Sequence, residues 1–293
     1  MLLVLLVLIA ADTSHTVNVA VAPGESLSVT IVGEGAPVVL LPGLFGASYS
    51  FRRVMGSLDS AGYRAVGIEP LGMGLSGRPK DANYSLAAQA DRIAAVMDTL
   101  GIAGAVFVAH SLGSSIALRV AYREPWLVSG IVSLEGGATE QATTPGFRRW
   151  MRFAPIIRLM NGYQIMLRKI YRSMKKVSFD DSWVTGSVLQ AYTAGPARNF
   201  KASLAAYKGM ARSEEPELLR DHLAEITCPV VLLVSEVRHG SGPPADEMKA
   251  LTERLYSFAI DTIPRSGFFI QEEQPSAVVS AVRDMSVTAG RAR

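Results

Sequence analysis

Apolar and polar residues alternate over His15–Val21 and again over Ser26–Val32, with Pro23-Gly24 between the two stretches. Period-two alternation broken by a turn dipeptide predicts an antiparallel hairpin with one solvated face. The pattern then changes. Pro37-Val-Val-Leu-Leu41 is apolar throughout and stops at Pro42-Gly43, as expected of a strand covered on both faces in a parallel sheet. Similar short runs follow at Arg64–Ile68, Ala105–Ala109, Val128–Leu134, Pro229–Ser235 and Phe258–Ile263. Between them the period lengthens to that of a helix. A helical stretch is predicted near Tyr49–Ala61, and another begins after Ser85, where Leu86, Ala90, Ile93, Met97 and Leu100 share a face and Gly101 ends it. Ser114–Tyr122 forms a third. Strands alternating with helices predict an α/β fold with a mostly parallel, doubly wound sheet. Ligands of such sheets bind beyond the carboxyl ends of the strands, so the residues just after each strand are the candidates for chemistry.

Composition narrows the function classes. The chain has 293 residues, 49% apolar and 19% charged, enough to bury a large core. Its 29 basic and 26 acidic residues leave a net charge of +3, with no basic tail, so no nucleic-acid partner is expected. No zinc-ligand spacing is present, and neither metal nor cofactor is expected. The single cysteine, Cys228, excludes an intrachain disulfide and opens an apolar run, where it reads as a buried thiol. Met1–Ala11 is apolar and ends in two alanines before Asp12, which suits an export signal or a short membrane anchor over residues 1–12, although the usual positive start is missing. A cytoplasmic protein is the alternative if this run is not a signal.

The most informative loop reads Val108-Ala109-His110-Ser111-Leu112-Gly113, directly between a strand and a helix. A sharp strand–turn–helix lifts the central side chain to the carboxyl edge of the sheet, and its flanks must be small because the backbone doubles back. Ala109 and Gly113 meet that need. Together with Leu41-Pro42-Gly43-Leu44-Phe45-Gly46 and Glu69–Arg78, this turn makes the segment Val38–Gly137 resemble the α/β-hydrolase superfamily, and the last quarter of the chain resembles its closing strands. The resemblance implies an α/β-hydrolase fold with Ser111 as nucleophile and the backbone N–H groups of Leu44 and Leu112 as oxyanion hole. It also implies a helical cap, here at 138–214, between core segments 13–137 and 215–293. Pro42-Gly43 replaces the family's His-Gly, a change at a non-catalytic position.

One departure is serious. The family's general base sits in a Gly-His-Phe segment after the last strand, and this chain reads Gly267-Phe268-Phe269 there. A serine hydroxyl without a base is a poor nucleophile. Four histidines are available. His15 lies in the hairpin, His222 in a charged helical stretch, and His110 beside the nucleophile but pointing away from it. His239 follows the strand Pro229–Ser235, where the family usually places its acid, and the glycines around it give the loop freedom. It is the candidate relocated base, with Glu135 after Val128–Leu134 as its acid, a position used by the haloalkane dehalogenases of the superfamily. Glu236 is the reserve. Phe45 and Phe268 are expected to border the serine and favour an apolar group in the substrate pocket.

Three functions stay open at this point. The first is a serine hydrolase cleaving a carboxylic ester or lactone-like bond through Ser111, His239 and Glu135. The second is a catalytically inactive protein binding a small apolar ligand on the same scaffold. The third is a non-hydrolytic acyl or carbon–carbon reaction. The cap adds a further feature: from Arg148 to Lys176 it carries nine basic residues and no acid, interleaved with Phe153, Ile165, Leu167 and Ile170. This is either a wet amphipathic face or a surface for peripheral membrane contact or an acidic substrate. The oligomeric state is not legible.

Overall fold

The computed structural model describes residues 14–153 and 161–291; the apolar start and Ile156–Leu159 of the cap lie outside the described residues. Eight strands form one sheet: β1 His15–Ala22, β2 Glu25–Val32, β3 Ala36–Leu41, β4 Tyr63–Ile68, β5 Ala105–His110, β6 Val128–Leu134, β7 Val230–Ser235 and β8 Phe258–Ile263. Their spatial order is β1-β2-β4-β3-β5-β6-β7-β8. The predicted hairpin turns on Gly24, whose φ of 76° favours glycine. It pairs antiparallel to β4, and every later pairing is parallel.

The period-two geometry of the central strands divides the core. Val39, Leu41, Phe107, Ala109 and Ile131 point to one side, where helices α2 (Leu86–Thr99) and α3 (Leu112–Arg123) cover them. Val38, Leu40, Val106, Val108, Val132 and Leu134 point to the other, under α1 (Arg52–Ser60) and the C-terminal helix Pro275–Arg291. Both layers are dry, which explains why these strands lack polar positions. Ser85 caps α2 by accepting a hydrogen bond from the Ala88 N–H at 3.2 Å, as its sequence position requires.

The insertion between β6 and β7 includes helices Pro145–Met151, Gly162–Val177, Gly186–Tyr192, Ala194–Arg198 and Phe200–Arg212. Its Met151, Met166, Leu204, Tyr207 and Met210 join the apolar cluster that begins on the sheet. A second tie is polar: Glu272, fully buried and paired with Arg52 at 2.6 Å, accepts from the Tyr192 hydroxyl of the insertion at 2.7 Å. Among the described residues no helix is long and apolar enough to cross a membrane.

Candidate active site

Strand β5 delivers Ser111 at its carboxyl end, where the backbone takes φ 51° and ψ −115°. A non-glycine residue at positive φ is strained by roughly 1–3 kcal/mol and survives only where the surroundings fix it. Here the fixing is steric and polar. The Ser111 N–H donates to the Leu134 carbonyl at 2.9 Å. A Cβ on Gly113 would stand 2.5 Å from the Leu41 carbonyl oxygen, and one on Gly136 2.0 Å from Ser114 Oγ. Both positions therefore demand glycine, and the turn is clamped between β3 and the β6 loop.

The strain is not confined to Ser111. Phe45 (φ 66°), Glu135 (φ 51°) and Arg265 (φ 53°) are also left-handed, and each follows a parallel strand: β3, β6 and β8 respectively. Backbone strain is thus concentrated along the sheet edge where ligands of such folds bind.

The Leu112 amide is the first of helix α3 and so lacks an intrahelical acceptor. Neither it nor the Leu44 amide donates to an acceptor among the described residues. The turn holding Leu44 is closed by the Gly46 N–H on the Gly43 carbonyl at 2.8 Å. A Cβ on Gly43 would lie 3.1 Å from the Ser111 Cβ, so the Pro42–Gly46 turn runs directly against the serine.

Two of the three proposed triad members are in contact. Glu135 and His239 are nearly buried, with His239 Nε2 3.5 Å from a Glu135 carboxylate oxygen. Ser235, at the end of β7, joins them: its hydroxyl lies 2.9 Å from the same Nε2, and its N–H donates to Glu135. Burial alone pushes the Glu135 carboxyl up, but hydrogen bonds from His239 and Ser235 outweigh it and hold the group below the usual glutamate range. Gly242 makes room, since a Cβ there would stand 2.7 Å from Glu135 Oε2.

The third member is not joined to them. The other ring nitrogen of His239, Nδ1, accepts from the Ser241 N–H at 3.3 Å, where the sequence suggested Ser111. The Ser111 hydroxyl makes no hydrogen bond among the described residues. Phe268 packs edge-on against both His239 and His110, with ring centres 5.2 and 4.6 Å away. An aromatic ring therefore occupies the neighbourhood expected of a base. Glu236 instead accepts from the Arg265 N–H at 2.8 Å and takes no part in the Glu135–His239 pair.

His110 has a larger part than its sequence position suggested. It is buried, its Nε2 donates to the Phe268 carbonyl at 3.0 Å, and burial pushes its pKa down to about 4, so the ring is neutral at physiological pH. It fixes the loop that carries Phe268. Glu273 fixes the same loop from the other side by accepting from the Gly267, Phe179 and Asp180 amides. Neither role has a sequence signal, because both are backbone contacts between distant segments. The insertion between β6 and β7 adds aromatic edges beside the site: Phe147 and Tyr207 on Phe45 at 5.3 and 5.0 Å, and Trp183 on Phe269 at 5.2 Å. His222, by contrast, stacks on Tyr122 and contacts Glu225 on the outer surface. A cavity of 480 Å³ lies away from Ser111, between the hydroxyl-bearing face of β1 and β2, Tyr49, Arg52 and Gly195.

Residues 36–167 match the family described as alpha/beta hydrolase fold. The AB hydrolase superfamily protein YisY of Bacillus subtilis (strain 168) is 25% identical over 266 residues, spanning 87% of this chain and 94% of that protein. An epoxide hydrolase of Caballeronia sordidicola is 37% identical over 103 residues, which are 35% of this chain and 31% of that protein. The crystal structure of Cfl2 from Burkholderia cenocepacia superposes with a TM-score of 0.76 at 24% identity, covering 92% of this chain and 94% of that one. With the sheet order and the strained serine turn, these similarities show that the chain has the α/β-hydrolase fold, with residues 36–167 carrying the family match.

Proposed function

We propose that this protein is a serine hydrolase that cleaves an ester or lactone-like bond of an apolar small molecule. The observation that carries the proposal is the Ser111 turn: a left-handed backbone clamped by two obligatory glycines, beside two amides without acceptors. Such donors, fixed before the reaction, stabilise a tetrahedral oxyanion by roughly 3 kcal/mol each. Similarity to an epoxide hydrolase supports hydrolysis as the reaction type. The aromatic edges of Phe45, Phe268 and Phe269 favour an apolar acyl or aryl group.

In this mechanism Ser111 Oγ attacks the carbonyl carbon and His239 takes its proton. Glu135, ionised and already on the ring, stabilises the imidazolium. His239 must first release Ser241, and Phe268 must yield, for Nδ1 to meet the serine. Gly240 and Gly242 flank the imidazole and give that loop its freedom.

A binding function without catalysis is the second reading, favoured by Phe268 at the base position and by the unengaged Ser111 hydroxyl. A fluorophosphonate probe and a short p-nitrophenyl ester separate the two. The hydrolase reading expects labelling and turnover that vanish in Ser111→Ala and fall by several orders of magnitude in His239→Ala. Absence of labelling in the folded parent protein would transfer support to the binding reading.

A further inference from the structure

The helix Gly162–Val177 presents two opposite faces. Met166, Ile170 and Met174 turn inward onto apolar clusters, and Val177 is buried as well. Ile165, Arg168, Lys169, Arg172 and Lys176 turn outward at spacings of three and four residues, so they form one stripe along about 17 Å of helix. The helix contains no acidic residue. Among the described residues Arg168, Arg172 and Lys176 make no ion pair, whereas Lys175, at the margin of the stripe, is held by Asp181 at 3.3 Å.

Like charges one turn apart disfavour a helix. Arg168–Arg172 and Arg172–Lys176 are both such pairs, and no side chain of this helix offsets them. The stripe is also not purely charged. Ile165 is 41% exposed and, with Arg168, Lys169 and Arg172, lines a shallow groove of 330 Å³. Earlier in the cap, Phe153 is 58% exposed next to exposed Arg152. Large apolar side chains set among cations suit a lipid interface, where the cations meet headgroup phosphates and the apolar groups enter the acyl boundary. A nucleic acid or an acidic protein surface would use the charges and leave Ile165 in water.

We infer that the outer face of helix Gly162–Val177 docks the protein onto an anionic lipid bilayer. The insertion beside the candidate active site is then the part of the molecule nearest the membrane. This inference is independent of the base assignment and of catalysis.

The test is co-sedimentation of the full-length protein with vesicles of phosphatidylcholine alone and of equimolar phosphatidylcholine and phosphatidylglycerol. Phosphatidylglycerol is expected to raise binding, and salt to lower it. Replacing two of the cations with glutamine (Arg168→Gln with Arg172→Gln) is expected to weaken that gain roughly 30-fold, each cation near an anionic surface contributing about a fivefold effect. Ile165→Ser is expected to weaken binding while leaving its salt dependence unchanged. Both variants alter exposed side chains, and unchanged circular dichroism and thermal unfolding verify the fold. A phosphatidylglycerol-dependent gain that persists in the double variant would overturn the inference. So would binding to polyglutamate or RNA as tight as to vesicles and insensitive to Ile165→Ser.

Discussion

Phe268→His tests whether the site lacks only a base already in place at Ser111, which His239 reaches only after Ser241 and Phe268 give way. The backbone at this position is held at both ends: the Phe268 N–H donates to the Val177 carbonyl at 2.8 Å, and its carbonyl accepts from His110 at 3.0 Å. A new side chain therefore inherits a fixed mount. The ring centres of Phe268 and His239 are 5.2 Å apart and nearly perpendicular. In an edge-to-face pair at that separation the nearest ring atoms lie about 3.8 Å apart, so a shift of about 1 Å brings a ring nitrogen at 268 within hydrogen-bond reach of His239. An imidazole at 268 can thus lean on His239, which already leans on Glu135, and turn its free nitrogen to Ser111. A positioned general base contributes about 10²–10⁴ in rate, so kcat/KM for p-nitrophenyl butyrate is expected to rise by at least about 10². The exchange removes part of a half-buried apolar ring, at a cost of about 1–2 kcal/mol of stability. Only the neutral imidazole accepts a proton, so the new activity should climb with pH through about 6.5. Rates for the parent, Phe268→His and Phe268→His/Ser111→Ala decide the matter. A folded single variant no faster than the parent, or a gain that outlives the serine, refutes the reasoning.

The structure supports further expectations of different kinds. Glu247 lies against Gly137, and burial, then the charges of Asp246 and Glu140, push its pKa up to about 7. The folded protein thus holds this proton longer than the unfolded chain, and its stability falls as pH rises from about 4.5 through about 7. Glu247→Gln removes that loss and, discounted for solvent screening, should add about 1 kcal/mol near pH ~8 and nothing near pH ~5, read from thermal unfolding at the two pH values. Arg119 is fully buried between Glu140 at 3.1 Å and Glu215 at 3.6 Å, and Glu215 also accepts from the first two amides of α2. Arg119→Met leaves Glu215 without its cation and Glu140 with only the exposed Arg220 at 3.5 Å, and should cost about 3–5 kcal/mol in urea denaturation; a loss below about 1 kcal/mol would contradict this account. Gly136→Ala forces a methyl group onto Ser114 Oγ and to within 2.7 Å of the Ser111 carbonyl. It should cost about 1–3 kcal/mol by overpacking and reduce probe labelling of Ser111 in step.

The strands were legible because each has one dominant cause. Val128–Leu134 and Phe258–Ile263 coincide with their expected limits, and each of the others differs by a single residue, where end pairing rather than hydrophobic pattern decides. Ser111 was legible because its turn must satisfy sterics that only small neighbours allow. The closeness of Glu135 and His239 followed from their strand ends, which β6–β7 pairing makes neighbours. The destination of His239 Nδ1 did not follow. It depends on a loop conformation in which Ser241 competes for the same nitrogen and Ser235 for the other, both within a few residues. Nor did the part played by His110, since a ring that anchors a carbonyl 158 positions away leaves no periodic trace.

The insertion of the cap between β6 and β7 also orders events during synthesis. Strands β1 to β6 and helices α1 to α3 emerge first and can assemble, but β6 then presents Ile131–Leu134 as an unpaired parallel edge. Its partner β7 is translated only after the whole cap. At the pace of a ribosome, about 5–20 residues per second, that edge stays open for many seconds. A nascent chain at this stage is at its most adhesive, and chaperone demand should peak there. Truncations ending inside the cap inherit the same exposed edge permanently, so they are expected to aggregate, whereas a cut chain that retains β7 and β8 as a co-expressed fragment offers the edge its native partner.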